Sequence, residues 1–209
     1  MRKLIGFTFF VSGGLLVSFV GGRYAVGIAR ADQARGEWDA AQARGTVANA
    51  RAVALRRGPE PAPADGTPIG RLVIPRIDLD EIVLEGIGTE DLNAGPGHLP
   101  GSVLPGERGN SIVSAHRDRH FNHFDALKVG DTVVTESRIG QTTWVIVSQR
   151  VVDKDARALF RTSDTTLTLT TCWPIRYLGS APSRLIVTAK PVRRGATRVA
   201  SMSLREPSS

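Results

Sequence analysis

Cys172 is the single cysteine of the 209-residue chain. With no second thiol to pair with, it is either a small buried hydrophobe or a nucleophile. Thr166–Thr171 alternates β-branched and aliphatic residues with the period of a strand. Trp173-Pro174 ends that run, because proline cannot continue a central strand. The thiol therefore sits where a strand gives way to a loop. A second alternating run, Arg184–Ala189, opens on Arg184. The loop between them, Ile175–Ser183, contains Gly179 and Pro182, and a hairpin-like return across it brings Arg184 back beside Cys172. A thiol next to a guanidinium supplies a nucleophile and a fixed positive charge for a developing oxyanion. Arg176 is a second cation in the same loop.

Four histidines accompany the thiol: His98, His116, His120 and His123. His116 directly follows Asn110–Ala115, a short strand pattern, and so stands at a strand end. The spacing of His116, His120 and His123 invites a metal reading. The stretch is loop-like, however, lacks the Glu of an H-E-x-x-H helix and offers no fourth ligand, so no metal site is expected. His98, His120 and His123 read as surface or loop residues.

The elements that must position these groups are short strands separated by Gly/Pro turns. Gly70–Ile74, Glu81–Ile87, Asn110–Ala115, Asp131–Glu136, Thr143–Val152, Thr165–Thr171 and Leu185–Val192 read as strands. Thr89–Arg108 is dense in glycine and proline and reads as loop. Phe124–Lys128 and Asp155–Phe160 read as short helical turns. Helical periodicity is otherwise weak, which predicts an all-β barrel or sandwich.

The flanks differ in composition. Arg2 and Lys3 precede Leu4–Gly22, nineteen residues without a charge. That is close to the length needed to span a bilayer, with the N-terminus cytoplasmic. Residues 1–29 read as a retained signal anchor, the rival being a cleaved signal peptide ending near Ala29-Arg30-Ala31. Residues 30–57 read as a solvated juxtamembrane helical stalk, and Gly58–Pro68, with four prolines, as a stiff linker. The folded unit is expected over 70–193 and a disordered tail over 194–209. The net charge of +7 lies in the flanks, because residues 58–193 carry fifteen bases against sixteen acids. A nucleic-acid module would concentrate charge on its folded face, so that class is set aside. Basic flanks suit an acidic membrane or wall surface.

Thr168-Leu169-Thr170-Thr171-Cys172 resembles the TLxTC signature of the sortase family. Cys172-Trp173-Pro174 followed by Gly179-Ser180-Ala181-Pro182-Ser183-Arg184 is similar to class D sortases in particular. The likeness extends over most of residues 70–192. Two departures are Ala115, where a Gly often precedes the family's histidine, and Trp173, where a Tyr is common. Neither removes a reacting group.

The resemblance implies a closed sortase-type barrel of about eight strands behind a transmembrane helix, with the catalytic domain extracytoplasmic. It implies His116, Cys172 and Arg184 as catalytic residues and Thr168, Thr171 and Trp173 as substrate contacts. It also implies a cysteine transpeptidase that cuts an LPxTG-like sorting signal through a thioacyl intermediate. The acceptor would be an amine of peptidoglycan or a pilin subunit. Loops near Ile175–Ser183 and Ala94–Arg108 are expected to shape the peptide pocket. No cofactor is demanded, although some sortases bind calcium through acidic loop residues, for which Glu85, Glu90 and Asp91 are the candidates. Two other readings remain: a catalytically silent barrel that binds an envelope protein or peptide, and a cysteine hydrolase.

Overall fold

The computed structural model describes residues 2–45, 62–154 and 162–192. A 42-residue helix, α1 (Arg2–Ala43), precedes a closed eight-stranded barrel. The strands are β1 (Pro68–Ile74), β2 (Leu79–Glu85), β3 (Gly97–His98), β4 (Asn110–Ser114), β5 (Thr132–Ser137), β6 (Gly140–Asp153), β7 (Thr166–Trp173) and β8 (Ser183–Pro191). A short helix, α2 (Thr89–Ala94), lies between β2 and β3, and 3-10 turns occupy Pro75–Ile77 and Phe124–Ala126. Around the barrel the order is β1-β2-β3-β4-β7-β8-β6-β5, and β5 closes onto β1. The β2–β3 and β4–β7 pairs are parallel and all others antiparallel.

The expected barrel of about eight strands is present, and sandwich packing is not. Two elements differ from the sequence reading. Helix α2 and the two-residue β3 both fall in the stretch read as loop, because neither is long enough to show a period. The proposed turn at Asp155–Phe160 and the tail 194–209 lie outside the described residues.

Alternation along the strands fills the barrel. Val113 of β4 and Ala115 just after it, Leu167 and Leu169 of β7, and Leu185, Val187 and Ala189 of β8 belong to one buried cluster with Leu72, Ile74, Val133, Trp144 and Ile146. Side chains at the intervening positions point outward. The indole of Trp144 donates from Nε1 to Thr135 Oγ1 at 2.8 Å, both residues being buried. Phe121 and Phe124, fully buried, stack with centroids 3.7 Å apart. They pin the turn that follows β4 to the core.

A polar pair is buried beside them. His98 Nδ1 meets Glu85 Oε2 at 2.7 Å, and Nε2 lies 3.0 Å from the Val103 carbonyl and 2.8 Å from Ser102 Oγ. A carbonyl only accepts, so Nε2 donates there. His98 is therefore a core residue and not the surface residue that loop composition suggests. Its chemistry is spent on tying β2, β3 and the loop after β3 together.

Helix α1 also departs from expectation. Its described part runs unbroken through the anchor and into the segment read as a solvated stalk. Ala34 and Trp38 are buried there against Ile82, Leu84 and Ala94. The helix is docked on the barrel, and residues 46–57 of the expected stalk lie outside the described residues. Pro68, read as the end of the linker, and Ile69, ahead of the expected folded unit, already belong to β1.

Thr135→Val is expected to destabilise the fold by about 1–3 kcal/mol, because the Trp144 N–H is then buried without an acceptor. Denaturant unfolding of the variant beside the parent measures this.

Candidate active site

The site is set by strand register. In the parallel β4–β7 pair Ser114 lies opposite Thr170, and the Ala115 N–H donates to the Thr170 carbonyl at 3.2 Å. His116 follows two residues after the end of β4, and Cys172 stands two residues beyond Thr170 on β7. In the antiparallel β7–β8 pair Cys172 lies directly opposite Arg184. The three residues thus occupy neighbouring chains, with Cys172 in the middle and adjacent backbones about 4.8 Å apart. Their neighbours Thr171 and Leu185 are buried, so by alternation Cys172 and Arg184 project from the outer face. Each is half-buried.

The surroundings hold these groups in place. Thr171 Oγ1 donates to the Ala115 carbonyl at 2.8 Å, which welds the residue before Cys172 to the residue before His116. The His116 carbonyl accepts from the Phe121 N–H at 3.0 Å and closes the turn that carries the imidazole. Burial is the largest influence on His116 and lowers its pKa from the usual value. Asp118 opposes that shift, while His120 and Arg119 add to it. Arg184 donates from Nη1 to the Ser183 carbonyl at 3.1 Å, which fixes the guanidinium at the strand end.

Sequence reasoning missed Arg117. Its guanidinium donates to three carbonyls of the β7–β8 loop: Pro174 at 3.1 Å, Tyr177 at 2.9 Å and Gly179 at 2.8 Å. It also lies over the Tyr177 ring, 5.7 Å from the centroid. One side chain therefore ties the turn after His116 to the loop that separates Cys172 from Arg184. Its position next to His116 was the available signal. Only the fold reveals that its partners are backbone atoms about sixty residues away.

The expected substrate contacts are placed differently. Thr168 is buried and its hydroxyl donates to Asn110 Oδ1 at 2.9 Å. Thr171 is buried with its hydroxyl given to Ala115. Neither hydroxyl is presented to an incoming peptide. Trp173 is partly buried and packs against the barrel core. On the outward face beside the thiol stands Thr170, half-buried, two residues before Cys172. Val151, Tyr177 and Leu178 leave apolar surface exposed on β6 and the β7–β8 loop. Val151 lies opposite Leu185, one step from Arg184.

Of the two loops expected to shape the pocket, only Ile175–Ser183 lies wholly at the site. The chain reaches the site end of β4 at Gly97, opposite Ser114, and then runs away from it. Leu99 pairs with Ile112 and Val103 with Asn110, so the loop after β3 lies at the opposite end of the barrel.

Among the described residues no group of three His, Cys, Asp or Glu side chains is arranged to hold a metal ion. Each acidic candidate has a protein partner: Glu85 has His98, Glu90 has Arg23 and Arg30, and Asp91 accepts from the Gly88 N–H. His120 pairs through Nδ1 with Glu81 Oε1 at 3.1 Å, and His123 is exposed.

A closed barrel thus carries a thiol and a guanidinium on paired strands, with an imidazole just past the end of the next strand. The sortase-domain family model matches residues 72–192. Sortase D of Bacillus subtilis is 36% identical over 132 residues, 62% of this chain and 67% of its own length. Among solved structures, the Clostridium perfringens Sortase D5 transpeptidase superposes with a TM-score of 0.61 at 21% identity, covering 80% of this chain and 99% of that one. Streptococcus agalactiae Sortase C1 gives 0.57 at 29% identity, covering 63% of this chain and 71% of its own. The chain belongs to the sortase family, whose members are generally cysteine transpeptidases.

Two measurements follow from this geometry. Arg117→Met is expected to release the β7–β8 loop, seen as at least tenfold faster amide exchange at residues 175–181 with the thermal midpoint little changed. Lysine at 117 reaches one carbonyl, not three, and should restore only part of the protection. By NMR, His116 is expected to titrate below the usual histidine value. The folded chain then binds that proton less readily than the unfolded chain. This group's penalty is absent above the unfolded histidine pKa and grows as pH falls through it.

Proposed function

We propose that this protein is a membrane-anchored sortase. It cleaves an LPxTG-like sorting signal after its Thr and transfers the acyl group to an amine of peptidoglycan or a pilin subunit. The observation that carries the reading is the β7–β8 register that sets Cys172 opposite Arg184, with β4, the strand that leads to His116, paired to the other side of β7. Family membership supports the reaction class.

The chemistry follows from what each group offers. Burial favours the neutral imidazole of His116. As the Cys172 sulfur attacks the Thr carbonyl, His116 takes the thiol proton, and the tetrahedral oxyanion forms beside Arg184. His116 then gives that proton to the departing amine. The C–N bond breaks and a thioester remains on Cys172. An incoming amine attacks the thioester carbonyl and loses its proton to His116, and the thiolate is expelled and reprotonated. Arg184 stays cationic throughout, so it stabilises the charge without moving a proton.

An outward groove suits an extended peptide better than a buried pocket does. Thr170 on the outward face and the exposed Tyr177 and Leu178 of the β7–β8 loop offer polar and apolar contacts near the thiol. The anchor reading is supported by the described helix Phe10–Ala43, long and apolar enough to cross a membrane. A cytoplasmic N-terminus, with Arg2 and Lys3 before the apolar stretch, leaves the barrel outside the cell.

The test is a panel of quenched LPxTG- and LPxTA-type peptides with and without an added amine. Cys172→Ala and His116→Ala are expected to abolish turnover. Arg184→Ala should lower kcat by about a hundredfold or more, the usual effect of losing an oxyanion donor. An amide product in the presence of amine supports the transpeptidase. Acid alone would indicate a hydrolase. No cleavage, with a folded-state thiol that resists alkylation, would favour a silent binding barrel.

A further inference from the structure

Helix α1 makes two kinds of surface with no gap between them. From Phe10 to Val20 it exposes large apolar side chains, among them Phe10, Leu15, Val17 and Phe19. Contacts with the barrel begin at the next turn. Arg23 Nη2 bonds Glu90 Oε1 at 2.8 Å, and Arg30 Nη1 bonds the other oxygen at 3.0 Å. The Arg119 guanidinium lies 4.5 Å from the centroid of the Tyr24 ring and donates to the Tyr24 carbonyl at 3.4 Å. Further out, Arg35 donates to the Asp80 carbonyl, and Ala34 and Trp38 are buried against β2 and α2.

The exposed ion pairs contribute little by themselves. The apolar contact at Trp38 and a tight fit at Gly27 define the docking. A Cβ at Gly27 would stand 2.6 Å from the Asn93 carbonyl oxygen and under 3.0 Å from the Arg119 guanidinium. Glycine is therefore required where the helix touches the barrel. The docked stretch, Arg23–Trp38, covers about 24 Å of helix and contains no proline to hinge it.

We propose that the barrel is clamped to its own membrane anchor, so that the groove bearing Cys172 is held against the lipid headgroup layer. This rests on the membrane-anchor reading given above. Tyr24 lies about 3 Å along the helix beyond Gly22, where the uncharged stretch ends. Arg119 contacts it, and His116 is three residues from Arg119. His116 therefore stands within about 20 Å of the bilayer surface. A free helical stalk over residues 30–57 would hold the barrel about 40 Å away. The partner surface is the lipid headgroup layer, and peptides are captured where they leave the membrane.

The lone thiol makes the distance measurable without turnover. The full chain is placed in vesicles, labelled at Cys172 with a donor fluorophore, and read by energy transfer to a headgroup-linked acceptor. The clamp predicts a donor-to-surface distance near 20 Å. Gly27→Leu and, separately, Trp38→Ala should each lower transfer as the barrel comes free, with near-ultraviolet dichroism checking that it stays folded. A donor about 40 Å from the surface, or transfer unaltered in both folded variants, would overturn the clamp while leaving the anchor intact. A chain stripped from vesicles by alkaline carbonate would remove the anchor reading and the clamp with it.

Discussion

The site depends on the parallel pairing of β4 with β7. These strands are far apart in sequence, and nothing local requires them to be neighbours. Once paired, their register decides which residues stand side by side. Ser114 opposite Thr170 sets the ends of the two strands, two residues before His116 on one and two before Cys172 on the other, side by side. A slip of one residue would turn one of them into the barrel. The Thr171 hydroxyl, bonded to the Ala115 carbonyl, guards that register at the last step before the reacting groups. Buried Phe121 and Phe124 hold the far side of the same turn. The rigidity of a packed core is thus delivered to a site on the outer surface.

The β7–β8 return adds the third group by a cheaper route. An antiparallel pair places Cys172 opposite Arg184 with only a loop between them. Such a loop has few contacts of its own, since Arg176, Tyr177, Leu178, Gly179 and Ser180 are all exposed. Arg117 supplies what the loop lacks, three hydrogen bonds from one planar fork. Because Arg117 follows His116, the turn carrying the imidazole and the loop flanking the thiol are fixed with respect to each other. Any ligand bound between them would meet a loop that is already ordered.

Much of this was legible in the sequence. The alternation before Cys172, the proline stop after it and the return to Arg184 are local patterns, and local patterns survive folding. His116 at the end of a strand was legible for the same reason. What was not legible depends on long-range contact. His98 sits in a Gly/Pro-rich stretch that reads as surface, yet a carboxylate thirteen residues earlier reaches it in the core. Thr168 and Thr171 carry the right chemistry for substrate contacts, but partners on β4 consume their hydroxyls. The docking of α1 was hidden because its buried face is narrow. Ala34 and Trp38 are four residues apart amid charged neighbours, and composition alone describes a solvated helix.

Placing reactive groups on the outside of a barrel creates a difficulty that the structure answers twice. Exposed thiols meet water and stray electrophiles, and exposed strand ends fray. Here His116, Cys172 and Arg184 are only half-exposed, with the loop held by Arg117 next to them. From Val147 onward β6 buries no side chain, yet it stays paired with β8 as far as Asp153, opposite Ser183. That extension has no role in filling the barrel. Its use is to give β8 a partner on its outer edge, so that Arg184 is held between two strands and does not lie on a free one. Lys154 continues the wall by donating its N–H to the Pro182 carbonyl. The extra length of β6 is therefore best understood as scaffold for the Arg184 end of β8.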